Sequence, residues 1–146
     1  MICAENLMLN DYVIYEGQIC KIYTTGKPNV VRIIKPNNSI THLDFDIEYL
    51  SKILKPVKLT KELLEQNGFT LVDNCTSKWS FVDEYGNTII ISGSCDGALR
   101  QSITIYTNSS SVANGYNRVV SDFPVCALHD VQHLLKQLHI KKEWKL

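Results

Sequence analysis

Two histidines in the stretch 129–133, which reads H-D-V-Q-H, have the spacing of a metal-binding pair. On a helix, residues four positions apart lie on the same face, so these two imidazoles could share one zinc ion. A zinc hydrolase of this kind also needs a third ligand and a glutamate that reaches the metal-bound water, and Asp130 is one methylene group too short. The sequence therefore favours a helix that turns His129 and His133 toward water without a metal. A metal-dependent hydrolase that uses both histidines is the third-ranked alternative.

Two other stretches carry side chains of the types used in catalysis or metal binding. Cys95 lies among glycines, and Arg100 is close enough in the sequence to favour its thiolate form, but no base completes a nucleophile motif. Asp44, Asp46 and Glu48 offer oxygens that suit a hard cation. On a strand, however, side chains two positions apart are separated by about 7 Å, which favours a solvated acidic face. We therefore predict no catalytic residue and no cofactor.

The second half of the chain is rich in aromatic and arginine side chains. Aromatic rings can stack on a base, and guanidinium groups can form paired hydrogen bonds with a phosphate. Ordinary residues of a sheet surface are the alternative interpretation. The predicted ligand-binding residues are Trp79, Arg100, Tyr106, Tyr116 and Arg118, together with His129 and Gln132 of the C-terminal helix.

Residues 1–55 are predicted to form a small, curled antiparallel sheet of the SH3-like type. The stretch 12–25 has β-branched and aromatic residues on both sides of Glu16-Gly17, a dipeptide that suits a hairpin turn. A strand is expected over 30–35, and Pro36 ends it. The alternation at 39–49 predicts a further strand, whose packed face would contain Leu43, Phe45, Ile47 and Tyr49.

The pattern changes at 50–58, where Pro56 prevents a continuing helix, and this indicates a boundary between a β-rich lobe (1–55) and an α+β domain (56–146). One compact unit is the alternative. A short helix is predicted over 59–69, with Thr60 as its N-cap and Gly68 and Phe69 in a Schellman motif at its end. A β-meander and an amphipathic helix from about 125 to 139 follow. The predicted fold class is therefore α+β: a curled antiparallel sheet, a short helix, a β-meander and a C-terminal amphipathic helix.

The composition disfavours several classes of function. The 15 lysines and arginines equal the 15 aspartates and glutamates, so the chain has no overall charge that would attract nucleic acid in general. Five scattered cysteines without a C-x-x-C pair are typical of reduced thiols in a cytoplasm. The first residues lack a signal-peptide pattern, and no apolar run reaches the roughly 18 residues of a membrane helix. We expect a cytoplasmic protein without a membrane partner.

Three stretches together resemble a family of small uncharacterised proteins from phages, prophages and mobile elements of Bacteroides-type bacteria. They are the hairpin 9–22, the helix 59–69 with the pattern L-T-x-E-x-L-x-x-x-G-F, and the stretch 127–144, which resembles a helix with the pattern V-H-x-L-Q-x-L. The chain departs from the family pattern at Asn10-Asp11, where a glycine is common, and at His133, where an asparagine is common. Carried over by position, the last motif falls on Leu128, His129, Val131, Gln132, His133 and Leu134.

This resemblance implies an accessory role inside an infected bacterium, as a virion component, a regulator or an inhibitor of host defence. Together with the stacking residues, it leads to the hypothesis of a non-enzymatic protein that sequesters a small anionic ligand, such as a nucleotide immune signal. Homo-oligomerisation would be a natural way to close such a pocket. The alternative is a protein-interaction or virion-associated module with a host or phage protein as its partner.

Overall fold

The structure, a computed structural model, describes residues 7–25, 30–73, 75, 77–93, 101–108 and 116–146, with the backbone alone described at 24–25 and 116–118. The chain divides into two compact units, which are treated separately below. The first unit comprises Met1–Val57 and Ala127–His133, and the second comprises Lys58–Cys126 and Leu134–Leu146. The fold is α+β, as the sequence predicts. Within the described ranges, no helix combines the length and the apolar character that crossing a membrane requires.

The first unit is built on a five-stranded antiparallel sheet. Its elements are β1 (Tyr12–Tyr15), β2 (Gln18–Thr25), β3 (Val30–Ile34), β4 (Ile40–Asp44), α1 (Ile47–Ile53) and β5 (Lys55–Pro56), and the sheet order is β4-β3-β2-β1-β5. The last strand, β5, pairs with the first, β1, in antiparallel orientation. Glu16 and Gly17 both have positive φ angles (51° and 77°) between paired Tyr15 and Gln18, which is a two-residue type I′ turn.

The predicted acidic strand at 39–49 is wrong beyond Asp44. The carboxylate of Asp46 accepts a hydrogen bond from the backbone N–H of Tyr49 (2.8 Å) and begins helix α1. Glu48 lies in the first turn and Lys52 in the last, where each charge suits the helix dipole. The same residues that alternate like a strand also place Ile47, Leu50 and Ile53 on one helical face, which packs on the core of the unit. The seven residues of α1 fit both the two-residue repeat of a strand and the 3.6-residue repeat of a helix. The N-cap at Asp46 favours the helix.

The second unit begins with helix α2 (Lys61–Gln66) and continues as a β-meander. Thr60 caps the helix, and Gly68 (φ 79°) follows its end. The backbone N–H of Phe69 donates to the carbonyl of Leu64 and that of Gly68 to Glu65, both at 3.0 Å, which confirms the predicted Schellman motif. The strands are β6 (Thr70–Leu71), β7 (Lys78–Val82), β8 (Thr88–Ser92), β9 (Gln101–Asn108) and β10 (Tyr116–Val125), in the sheet order β10-β9-β8-β7-β6.

Helix α3 (Leu128–Gln137) lies within the predicted range and contributes residues to both units. Asp130 accepts a hydrogen bond from the backbone N–H of Ala127 (3.0 Å), so this carboxylate caps the start of the helix. The end is a second Schellman motif, because Ile140 donates to the carbonyl of Leu135 and His139 has a φ of 56°. Asp130, the aspartate of the H-D-V-Q-H stretch, therefore stabilises the start of the helix.

Candidate functional site

His129 and His133 lie largely covered in the first unit, and the prediction that they face water is wrong. Their side chains are only 12% and 16% exposed. The apolar residues of α3 mark one buried face, and the polar face is covered as well, through hydrogen bonds to the segment that precedes β1. A helical wheel shows only which face of a helix is apolar. It therefore does not predict that the polar face of α3 is covered as well.

The contact is made by two adjacent residues of α3 with three residues near the start of the chain. One ring nitrogen of His133, Nε2, lies 2.7 Å from Oδ2 of Asp11, whose side chain is 3% exposed. Gln132 accepts a hydrogen bond from the backbone N–H of Tyr12 (3.3 Å) and donates to the carbonyl of Asn10 (3.1 Å). Asp11 and His133 therefore contact each other, although 122 positions separate them in the chain. The amide of Gln132 acts here like the peptide group of a neighbouring strand.

His129 is the less satisfied of the two histidines. Its Nδ1 is buried and has no hydrogen-bond partner in the described part of the chain, and its Nε2 lies 3.4 Å from Oδ1 of Asp130. Burial lowers the pKa of His129 below its ordinary value, against the opposing effect of the carboxylates of Asp130 and Asp11. Among the described residues, no three histidine, cysteine, aspartate or glutamate side chains are arranged to hold a metal ion. This part of the chain does not assemble the three-ligand set of the hydrolase alternative.

Acidification below about pH 6.5 is expected to destabilise the first unit through His129. Because burial lowers the pKa of this imidazole in the folded state only, the unfolded chain binds the proton more readily. The stability contributed by neutral His129 is therefore complete above the unfolded pKa and is lost as the pH falls toward the folded one. The thermal midpoint of the wild type should drop more than that of His129→Gln between about pH 7.5 and about pH 5.5.

The matched control is His42→Gln, which removes an exposed histidine of β4. This variant should show the same pH dependence as the wild type. Parallel pH profiles for the wild type and His129→Gln would contradict the assignment.

The predicted ligand-binding residues do not form one described site. Trp79 is 4% exposed in the second unit and has little surface left for a ligand. Tyr106 is half-buried on β9, and β10 pairs Arg118 with Tyr106 and Tyr116 with Asn108 through the backbone. The side chains of Tyr116 and Arg118 are outside the described structure, as are Cys95 and Arg100 entirely. His129 and Gln132 belong to the first unit and are engaged as described above.

A different cluster in the second unit has the chemistry of a binding site. Nζ of Lys142 lies 3.7 Å from the ring centroid of Phe81, 5.2 Å from that of Trp144 and 5.3 Å from that of Phe69. It donates one hydrogen bond, of 2.8 Å, to the backbone carbonyl of Asn67. Within the described ranges, no carboxylate forms an ion pair with this amine. We call Lys142, Phe69, Phe81 and Trp144 the lysine–aromatic cluster.

The amine of Lys142 is held in an environment that is poor in water. Burial and the nearby charge of Lys145 lower the pKa of Lys142 to about 8. The aromatic faces act in the opposite direction, since they attract the ammonium form. Trp144 is 7% exposed, and its indole N–H is buried without an acceptor. The amine of Lys142 donates one hydrogen bond, to Asn67, and the indole N–H of Trp144 has no acceptor among the described groups. Both groups could therefore donate to a ligand.

Asn67 fixes the segment that carries this cluster. Its side-chain NH2 donates to the carbonyls of Leu63 (2.8 Å) and Lys145 (2.9 Å), and its side-chain oxygen accepts from the backbone N–H of Lys145 (2.7 Å). The ring of Trp144 stacks at 5.9 Å on Phe69, the residue that closes the Schellman motif. The turn after α2 therefore positions both the backbone and the aromatic wall of the site.

Sequence reasoning missed this cluster, although one signal was present. The terminal stretch 141–145, K-K-E-W-K, combines three lysines with a tryptophan. A tryptophan flanked by lysines is often an anchored ring beside a cation, but nothing in the spacing identifies the distant aromatic partners. No protein-family model, curated protein or solved structure matches the chain.

Proposed function

We propose that the chain is a non-enzymatic binding protein that sequesters a small anionic ligand at the lysine–aromatic cluster. The observation that carries the proposal is the ammonium group of Lys142, held among three aromatic rings without a carboxylate partner in the described residues. The group has three donors, of which Asn67 takes one. An anion would take up the remaining donors, and it would do so in a poorly hydrated place where charge-assisted hydrogen bonds are strong.

The aromatic rings favour a ligand that also carries a flat group. Phe81 is half-buried and lies nearest to the amine, so its ring offers a surface on which a base could stack. The indole N–H of Trp144, which has no acceptor among the described residues, is a second donor for a phosphate or carbonyl oxygen. These features suit a nucleotide, in which the charged and the flat part are joined.

In this proposal the protein acts in the cytoplasm of an infected bacterium. The support is its resemblance to proteins of Bacteroides-type phages, prophages and mobile elements. Capture of a nucleotide immune signal there would suppress host defence without any catalytic step. A protein-interaction or virion-associated module stays the alternative. Purification from infected cells separates the two, since this alternative requires a stoichiometric protein partner and the proposal requires a bound small molecule.

Calorimetric titration with a panel of cyclic mono-, di- and trinucleotides tests the proposal. We expect at least one of them to bind the wild type, and Lys142→Met to weaken that binding by roughly 10- to 100-fold, because a hydrogen bond to a charged group contributes about 1.5–3 kcal/mol. Lys141→Met is the matched control, since this neighbouring lysine is exposed and should be dispensable. The proposal fails if no nucleotide binds or if both variants bind as the wild type does.

A further inference from the structure

The stretch 66–69, which reads Q-N-G-F, contains a chemically labile dipeptide. When glycine follows asparagine, the backbone nitrogen of the glycine is little hindered and can attack the side-chain amide of the asparagine. The sequence has two such dipeptides, Asn67-Gly68 and Asn114-Gly115. The second lies outside the described residues, whereas the first forms the end of α2. Asn67 therefore combines a reactive sequence with the hydrogen bonds that hold the terminal segment.

The folded second unit opposes this reaction at both reacting groups. Asn67 is 6% exposed, its NH2 donates to the carbonyls of Leu63 and Lys145, and its side-chain oxygen accepts from the backbone N–H of Lys145. The backbone N–H of Gly68 donates to the carbonyl of Glu65 (3.0 Å). The nitrogen has to lose this proton to attack, and Cγ of Asn67 has to turn toward it. Ring closure therefore requires these hydrogen bonds to break.

We propose that Asn67-Gly68 is a modification site that acts as a one-way switch: the fold protects it, and opening of the turn after α2 converts Asn67 to aspartate or isoaspartate. The modification is a deamidation with water as its co-reactant. The chemical step is independent of the proposed function. Only its consequence for ligand binding rests on that function, because the carbonyl of Asn67 accepts from the amine of Lys142.

The reaction is balanced with water alone. The backbone nitrogen of Gly68 gives up its proton and attacks Cγ of Asn67, a C–N bond forms, and the side-chain NH2 takes up a proton and leaves as ammonia. The product is a cyclic succinimide. Water then adds to either carbonyl carbon of the ring and breaks its bond to nitrogen. Addition at Cγ gives aspartate, and addition at the backbone carbon gives isoaspartate, in which the chain continues through Cγ.

Both products remove contacts that the turn needs. Aspartate has no NH2 group to donate to the carbonyls of Leu63 and Lys145, and its negative charge would face both of them. Isoaspartate lengthens the backbone by one methylene group. It also turns the carbonyl that accepts from Lys142 into a free carboxylate, which would compete with an anionic ligand for the amine. Neither product returns to asparagine, so a protein that has opened for long enough loses the site permanently.

The expected protection follows from the hydrogen bonds of the Asn67 side chain. One hydrogen bond changes an equilibrium constant by roughly a factor of 5. The three bonds to Leu63 and Lys145 should therefore make the open turn about 100-fold rarer than the closed one. Deamidation of Asn67 in the folded protein should be slower than in the unfolded chain by about the same factor.

Peptide mass spectrometry of the wild-type protein measures this protection. The protein is kept at mildly alkaline pH in buffer alone and in enough urea to unfold it, and the modified fraction of Asn67 is followed with time. We expect a rate about 100-fold lower in buffer than in urea. Asn87 is the internal control, because the side chain of the following residue, Thr88, hinders the attack. Equal rates for Asn67 in both samples, or equal rates for Asn67 and Asn87 in urea, overturn the proposal.

A second measurement tests whether the modification prevents refolding. Partly deamidated protein is transferred to a urea concentration just below the midpoint of the intact protein, and a short protease pulse digests the chains that stay unfolded. Chains deamidated at Asn67 should be depleted among the survivors by roughly 10-fold or more. Survival equal to that of intact chains overturns the switch.

Both measurements work without a ligand, so their outcome is separate from that of the proposed function. If nucleotides bind and deamidated chains survive the protease pulse, anion capture stands and the switch falls. If Asn67 is protected and its deamidation prevents refolding while no nucleotide binds, the switch stands and anion capture falls.

Discussion

Replacement of Asp11 with alanine is expected to lower the free energy of unfolding of the first unit by about 3 kcal/mol. The carboxylate accepts hydrogen bonds from the backbone N–H of Met8 (2.6 Å) and faces Nε2 of His133 (2.7 Å), and almost none of it contacts water. Alanine would leave both of these groups without a partner in a covered position. Chemical denaturation of the purified variants measures the loss.

Asp11→Asn should lose less than Asp11→Ala, because one amide oxygen can still accept from Met8 or from His133. The double variant Asp11→Ala/His133→Ala should be more stable than the sum of the single losses predicts, with a coupling of about 1–3 kcal/mol. Additive losses would show that the two side chains contribute independently. Asp44→Ala is the control, since this aspartate is exposed on β4 and its removal should be nearly neutral.

The parts of the fold that local chemistry decides could be predicted from the sequence. Glu16-Gly17 forms the expected hairpin turn, the hydroxyl of Thr60 caps the start of α2, and Gly68 follows its end with a positive φ that glycine adopts without strain. In each case the deciding contact lies within four residues along the chain. The prediction of a strand through residue 49 is wrong for an equally local reason. The N-cap formed by Asp46 outweighs the short alternation of apolar and acidic residues.

The candidate site could not be predicted, because its contacts join distant parts of the chain. Lys142 and the carbonyl of Asn67 are 75 positions apart, and His133 and Asp11 are 122 positions apart. Periodicity shows which face of an element is apolar, and it carries no information on which polar partner will cover the other face. Periodicity therefore predicts that His129 and His133 face water, whereas they are largely covered, and the predicted ligand-binding residue Trp79 is buried.

Asn67 connects the stability of the second unit with its proposed activity. Two side-chain hydrogen bonds join Asn67 to Lys145, beside Trp144, and a third joins it to the carbonyl of Leu63, while the backbone carbonyl of Asn67 accepts from the amine of Lys142. If these contacts position the lysine–aromatic cluster, weakening them should affect nucleotide binding as well as folding. A residue that served folding alone would not show this coupling.

Asn67→Ala is expected to lower the free energy of unfolding of the second unit by about 3 kcal/mol, since the carbonyl of Leu63 and the part-buried N–H and carbonyl of Lys145 lose a partner. Nucleotide binding by the folded variant should weaken as well. Denaturation followed by tryptophan fluorescence measures the first effect, and calorimetric titration measures the second. Gln66→Ala, at the exposed preceding position, should change neither.

Asn67→Asp provides the sharper test, because it keeps the shape of the side chain and replaces its NH2 donor with a charged acceptor oxygen. The carboxylate can still accept from the backbone N–H of Lys145, but its second oxygen would face the carbonyls of Leu63 and Lys145, to which the amide now donates. Repulsion between acceptors should make this variant less stable than Asn67→Ala, in spite of its closer likeness to asparagine. If Asn67→Asp is instead as stable as the wild type, the amide donor does not hold the terminal segment, and another contact must position Lys142.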